Sequence, residues 1–162
     1  MKKYRDNGAT GALLDEYEKA VTELRDLLET ITETELMTVV DTTTKDPDCQ
    51  SIQTILTHVV RAGYAYAIYV RKAQGEVLDF RERLPLNSIK EYQKELQLMF
   101  QYNEYLFIEY PNLPLEKFEQ KDKMRTSWNQ YYDIEQIFEH AIVHILRHRR
   151  QIERFLIILR AA

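Results

Sequence analysis

One long helix is predicted from the run Glu139-His-Ala-Ile-Val-His-Ile-Leu-Arg-His-Arg-Arg-Gln-Ile-Glu153, close to the end of the chain. Its histidines are His140, His144 and His148, and residues four apart lie one turn apart on the same face of a helix. Apolar residues of the segment recur at steps of three and four, which is the pattern of a helix with one buried face. The run therefore predicts a core-facing helix that carries a row of imidazoles.

Three more helices of similar length are predicted upstream from the same periodicity. The four predicted segments run from about Ala12 to Ile31, from Asp48 or Ser51 to Gly75, from Ser88 to the residue before Pro111, and from Asp133 to the end of the chain. Gly63 falls inside the second helix, where it costs about 1 kcal/mol against alanine, so we expect close packing there. Four helices of about 20 residues with three linkers predict an all-α protein, and specifically a four-helix bundle.

Two segments begin with the signals of a helix N-terminus, a capping box at Ser88-Ile-Lys-Glu91 for the third helix and a cap-like Asp133-Ile-Glu-Gln136 for the fourth. The linker before the last helix, Tyr110 to Tyr132, is long and aromatic and contains prolines. We expect it to pack across an end of the bundle. The length of 162 residues fits one domain, 1–162, and no internal repeat suggests a second.

Composition argues against several partners and locations. The net charge of -4 and the mixing of signs along the chain disfavour a nucleic-acid-binding face. The one basic cluster is interpreted as a solvated helix face and consists of Arg147, Arg149, Arg150 and Arg154. Apolar runs are far shorter than the roughly 20 residues needed to span a membrane. Since Cys49 is the single cysteine and the first residues carry no apolar secretion signal, we expect a cytoplasmic protein.

The histidines are candidate metal ligands, and His58 is the one outside the last helix. On a helical wheel at about 100° per residue, His148 lies roughly 30° from the core direction, His144 about 70° and His140 about 110°. The pair His144 and His148 therefore faces inward, and His58 on the second helix is the candidate third ligand. His140 is predicted on the flank, where it either supports the ligands or is exposed. The alternative is that all four are ordinary histidines, hydrogen-bonded in the core or displayed at the surface.

A mononuclear metal site is favoured over two rivals. The helix lacks the glutamate of a His-Glu-x-x-His protease and the paired Glu-x-x-His motifs of a di-iron bundle. Three imidazoles leave a coordination position for water or thiol, as in catalytic sites. Cys49 is interpreted as a small buried residue rather than a nucleophile. Five tyrosines are interpreted mainly as packing residues, one of which can line a pocket: Tyr64, Tyr66, Tyr69, Tyr131 and Tyr132.

Two segments of the chain resemble the DinB/YfiT-like superfamily of metal-binding four-helix bundles. They are Ser51-Ile-Gln-Thr-Ile-Leu-Thr-His58 and His144-Ile-Leu-Arg-His148-Arg-Arg-Gln151-Ile. The resemblance implies that the metal ligands are His58, His144 and His148, which is the set that the helical wheel also favours. Arg150 departs from the family, whose members frequently have glycine at this position.

The resemblance also implies a divalent ion, zinc or nickel, and a homodimer formed by helix packing. Characterised members of the family use the ion to activate a low-molecular-weight thiol, such as bacillithiol or mycothiol, for transfer or isomerisation. We therefore expect a metal-dependent thiol S-transferase or, more broadly, a transferase or hydrolase that uses an activated thiol or water against a small electrophile. The alternative is a non-catalytic metal-binding or interaction bundle, in which a fourth protein ligand such as His140 closes the site.

Overall fold

The computed structural model describes residues 4–161. Residues 1–3 and 162 lie outside the described part of the chain. The two ends of the predicted domain therefore lie outside it as well, as do the first residues of the N-terminal segment, which was predicted to carry no secretion signal. The described residues form α1 (Gly8–Leu28), α2 (Glu33–Met37), α3 (Ile52–Ala73), α4 (Ile89–Glu109), β1 (Met124–Arg125), β2 (Tyr131–Tyr132) and α5 (Ile134–Ala161). The prediction of a mainly helical protein is confirmed. In this part of the chain, no helix combines the length and the apolar character that crossing a membrane requires.

The last two long helices begin at the predicted caps. At α5 the Asp133 carboxylate accepts a hydrogen bond from the Gln136 backbone N–H, and Gln136 Oε1 accepts one from the Asp133 N–H. At α4 the Ser88 hydroxyl accepts from the Glu91 N–H, but the Glu91 carboxylate accepts from the Asn87 N–H. The reciprocal capping box predicted from Ser88 and Glu91 is therefore only half formed, because the glutamate bonds one residue further upstream.

Three features differ from the sequence prediction. α1 begins at Gly8 rather than Ala12, since the helix starts before the first apolar residue of its periodic pattern. The short helix α2 was not predicted, because five residues with one buried side chain, Leu36, are too few to show a period. The antiparallel pair β1–β2 was not predicted either. With two residues per strand, it is too short for an alternating pattern to be visible.

The four long helices enclose the core, and each packs mainly against two of the others. α1 contacts α4 and α5, and α3 contacts the same two helices. α3 and α4 run parallel, since Thr57 meets Tyr92 near one end and Arg71 meets Glu109 near the other. α5 runs antiparallel to α3, because its later residues face the start of α3 and its earlier residues face the middle. The N-terminal half of α3 consequently lies beside the middle of α5.

Gly63 allows α3 to approach α4 closely. A Cβ atom at this position would lie 2.3 Å from Met99 Sδ, so the predicted close packing is confirmed. Asn103 is completely buried beside it, and its Nδ2 donates to the carbonyl oxygens of Gly63 and Met99 at 3.0 and 2.8 Å. Tyr17 adds a hydrogen bond from its hydroxyl to Met99 Sδ. This contact between α3 and α4 is therefore both dense and directional.

The linker of residues 110–132 lies where α3 and α4 end and α5 begins. The carbonyl oxygen of Leu115 accepts hydrogen bonds from the N–H groups of Ile134 and Glu135, which ties the linker to the first turn of α5. The hairpin that includes β1 and β2 turns back toward α3, where the Ser127 N–H donates to the Tyr69 hydroxyl at 2.9 Å. This hairpin places an aromatic side chain, Trp128, beside the histidine row of α5.

Candidate metal centre

Three histidines meet between α3 and α5. His58 comes from the first turns of α3, and His144 and His148 come from successive turns of α5. One ring nitrogen from each lies within 4.8 Å of the others, and the Nε2 atoms of His58 and His144 are 2.9 Å apart. The structure thus brings together the three side chains that the sequence singled out as metal ligands.

Burial of the histidines follows the helical wheel. His144 and His148 are only 4% and 5% exposed, while the His58 side chain is 29% exposed. His140 is half-buried and lies outside the ligand group. Its Nδ1 is 3.4 Å from the hydroxyl of Tyr132. The flank position predicted for His140 is therefore confirmed.

Two polar side chains orient the ligand rings. Nδ1 of His58 lies 3.2 Å from Oδ2 of Asp48, and Nδ1 of His148 lies 3.0 Å from Oε1 of Gln151. Both oxygens accept hydrogen bonds, so each Nδ1 carries the proton and each Nε2 presents a lone pair. Partners of this kind fix the tautomer and the ring orientation of metal-binding histidines.

Two further ring nitrogens have no partner among the described residues. His148 Nε2 and His144 Nδ1 are buried there without a hydrogen-bond partner. Because His58 Nε2 presents a lone pair, its 2.9 Å contact requires a proton on His144 Nε2, which leaves the buried Nδ1 of His144 bare. A buried polar atom without a partner costs about 1–3 kcal/mol.

This donor set fits a divalent ion. Zinc binds imidazole nitrogen at about 2.0–2.1 Å, so two such nitrogens on one ion lie about 3–4 Å apart. The 2.9 Å separation of the Nε2 atoms of His58 and His144 is close to that range. An ion would bind the lone pairs of His58 Nε2 and His144 Nε2 together, so that no proton is needed between these two atoms. The three imidazoles could therefore hold a metal.

Burial keeps the imidazoles neutral. It lowers the pKa of His148 to about 4, with the charge of His58 as the next cause. Burial, followed by the charges of His148 and His58, lowers the pKa of His144 to about 2. Burial also lowers the pKa of His58, against the opposing effect of Asp48 and Asp46. Since protons and metal ions compete for the same nitrogens, these low pKa values favour metal binding at neutral pH.

An aromatic wall borders the histidines on one side. The ring centroid of Tyr66 lies 5.9 Å from that of His144 and 5.7 Å from that of His140. Trp128 stacks on His140 at 5.8 Å and 23° and is itself 40% exposed. Of the five tyrosines considered from sequence, Tyr66 is the one in ring contact with a ligand histidine. Trp128 was missed, because a tryptophan in a turn has no periodic signal.

Cys49 lies closer to this centre than its sequence position indicated. Its thiol is 3.9 Å from Oε1 of Gln151, the atom that also bonds His148. Cys49 is half-buried rather than buried, so the interpretation as a small buried residue is only partly correct. Burial still raises the pKa of its thiol, which disfavours a nucleophile. Gln151 had a detectable signal, since it lies three residues after His148 on one helix. Asp48 had none, because its position depends on the turn of residues 47–49 folding onto α3.

Compared with protein-family models and with curated proteins, the sequence gives no match. The description of the site therefore rests on its geometry and chemistry.

Proposed function

We propose that this protein binds one divalent ion, zinc or nickel, through His58, His144 and His148 in a DinB/YfiT-like four-helix bundle. The observation that carries the proposal is the group of three neutral imidazoles between α3 and α5, with buried ring nitrogens that lack partners in the described part of the chain. Imidazole suits both metals. The bundle assignment is supported by four long helices that each pack on two neighbours.

We further propose that the site is catalytic, as a thiol S-transferase. An ion held by three imidazoles retains an open position, where it lowers the pKa of a bound thiol or water and supplies a nucleophile at neutral pH. His140 would close that position in the non-catalytic alternative. It is outside the ligand group and is engaged by Tyr132 and Trp128, which favours the open arrangement.

The protein's own residues have distinct roles in this proposal. Asp48 and Gln151 hold the rings of His58 and His148 in the orientation that directs Nε2 toward the ion. Tyr66 is only 2% exposed and packs behind the ring of His144. The 40% exposed ring of Trp128, stacked on His140, offers an apolar surface against which an electrophile can lie. Burial raises the pKa of Tyr66 well above its usual range and keeps its hydroxyl protonated, so this residue does not act as a base.

A homodimer in the cytoplasm belongs to the same proposal. Its support is a set of exposed apolar side chains on α5, Val143, Leu146 and Ile157, since exposed apolar groups often mark association sites. Light scattering at micromolar concentration tests the assembly, and a monomer mass would contradict it.

Metal analysis is the first test of the site. Protein purified without a histidine tag should contain about one zinc or nickel ion per chain. His140→Ala is the matched control, since it removes an imidazole from the same helix one turn away and should leave the metal content unchanged. Loss of the ion from His140→Ala but not from His58→Ala would contradict the ligand assignment.

Thiol activation is tested with the cobalt-substituted protein. Adding a cysteinyl thiol should produce a sulfur-to-cobalt charge-transfer band, with release of a proton and consumption of a matching electrophile. The band should be lost in His148→Ala and kept in His140→Ala. If several thiols leave the spectrum unchanged while cobalt stays bound, the transferase proposal is wrong and the non-catalytic metal-binding bundle replaces it.

A further inference from the structure

Arg147 lies on α5 beside the residues of the metal centre. It follows His144 by three residues and precedes Gln151 by four, so the helix places it between these two side chains on one face. His144 is a ligand of the candidate site, and Gln151 bonds another ligand, His148. The Arg147 side chain is exposed, and among residues 4–161 it makes no hydrogen bond or ion pair.

The neighbouring arginines differ from Arg147 because they either pair with a carboxylate or lie on another face of the helix. Arg83 pairs with Asp48, and Arg149 forms ion pairs with carboxylates of α1 and α5. Arg150 is exposed like Arg147 but lies two residues past His148, on a different face of the helix. The charge of Arg147 is among the main causes that lower the pKa of all four histidines.

A guanidinium without a carboxylate partner, placed beside a metal centre of neutral ligands, favours the binding of an anion. The nearest carboxylate of the centre, Asp48, is already engaged by His58 and Arg83. With a divalent ion bound, the charge of the ion and the charge of Arg147 would lie on the same side of α5. A guanidinium binds a carboxylate through two parallel N–H···O bonds, which fixes both its position and its orientation.

We propose that Arg147 binds a carboxylate of the thiol co-substrate, so that the site selects acidic thiols over neutral or basic ones of the same length. This inference rests on the proposed function, because it assumes a thiol held at the three-histidine centre. Arg147 forms no covalent bond and moves no proton. It is a specificity residue that positions the thiol through charge-assisted hydrogen bonds.

Three thiols of matched length provide the test: 3-mercaptopropionate, 2-mercaptoethanol and cysteamine. Their affinities for the cobalt protein are read from the charge-transfer band. Since the thiols differ in their own acidity, the quantity to compare is the ratio of the affinities of mercaptopropionate and cysteamine in each variant. In Arg147→Gln this ratio should fall about tenfold or more from its wild-type value, because charge-assisted hydrogen bonds are lost. Arg150→Gln, which removes an equal charge, should keep the ratio within about twofold, since Arg150 does not face the site.

The outcomes separate this inference from the proposed function. An equal ratio in wild type and Arg147→Gln, with normal bands, overturns the role of Arg147 and leaves thiol activation intact. An equal fall in both arginine variants indicates general electrostatics and also overturns it. Absence of any band while cobalt stays bound overturns thiol activation and this inference together. Arg147→Lys should recover part of the preference, since it restores the charge without the bidentate geometry.

Discussion

α3 makes two polar contacts inside the protein, and they differ in how their buried groups are satisfied. Toward α4, Asn103 donates one hydrogen bond across the close approach to the Gly63 carbonyl and one to the Met99 carbonyl of its own helix, and leaves one unpaired atom, its Oδ1. Toward α5, His58 and His144 present nitrogens to each other at 2.9 Å. Ring nitrogens of two residues there lack partners within residues 4–161.

The contact between α3 and α4 mainly stabilises the fold, whereas the contact between α3 and α5 leaves buried atoms unpaired that a bound ligand can satisfy. Buried hydrogen bonds that are made contribute about 0.5–1.5 kcal/mol each, and buried polar atoms that are left without partners cost about 1–3 kcal/mol. The contact with α4 therefore stabilises the protein as it stands. The contact with α5 gains its full value only when a ligand satisfies a nitrogen that has no partner, above all His148 Nε2. Mutations should consequently affect stability at one contact and binding at the other.

The largest expected effect is on metal affinity. His144→Ala removes one of three ligands and should weaken zinc binding at least about 100-fold, roughly 3 kcal/mol, as measured by competition with a chromophoric chelator. His58→Ala and His148→Ala should behave alike. Asn103→Ala should leave the affinity unchanged, although it loses stability. Equal losses of zinc affinity in the Asn103 and His144 variants would erase the distinction between the two contacts.

A stability loss is expected at the α4 contact. Gly63→Ala should lower the free energy of unfolding by about 2 kcal/mol through overpacking against Met99, despite a gain of about 1 kcal/mol in helix propensity. Urea denaturation measures the change. Combining it with Met99→Ala should cost less than the sum of the two single changes, because the truncated side chain makes room for the new methyl group. Wild-type stability of Gly63→Ala would show that this contact is less rigid than described.

A smaller effect is expected on the pH dependence of stability without metal. The pKa of His148 is about 4 in the folded protein, below its unfolded value of about 6.5. The unfolded state therefore binds the proton first, and the stabilising contribution is present above pH 6.5 and is lost as pH falls toward 4. Between pH 7 and pH 5 His148 alone should lower the free energy of unfolding by about 1–2 kcal/mol, and His144, whose pKa is about 2, adds a further drop.

Urea titrations at the two pH values measure this drop, and two variants locate its source. His148→Gln should reduce it, because the group with the lowered pKa is removed. Asn103→Ala should show the wild-type drop, since the contact with α4 contains no group that titrates in this range. A full drop in His148→Gln would place the titrating group elsewhere.

The smallest expected effect concerns the orientation of His58. Asp48→Ala removes the acceptor of the His58 Nδ1 proton and should weaken zinc affinity about tenfold. Asp48→Asn keeps an acceptor oxygen and should stay within about threefold of wild type. Equal losses in the two variants would indicate that the charge of Asp48 matters more than its hydrogen bond.

The sequence was sufficient where the determining interactions are local. Helical periodicity predicted the long helices, and the wheel ranked His144 and His148 as the inward pair because both depend on one helix. The place of Gly63 in its helix likewise indicated close packing. Asp48 and Trp128 could not be predicted in this way, since each reaches the site through a turn whose path depends on contacts between distant segments. The unpaired nitrogens were also invisible, because satisfaction of a buried atom is a property of the assembled core.

Trp128 is the only tryptophan of the chain, and it stacks on the ring of His140 beside the ligand histidines. The intrinsic fluorescence of the protein, excited at the long-wavelength edge of indole absorption, therefore originates at one corner of the candidate metal centre. Cobalt or nickel bound there should quench this emission, whereas zinc, with its filled d shell, should change it only slightly. The fold thus carries its own optical reporter, by which the occupancy of the site can be followed without any added label.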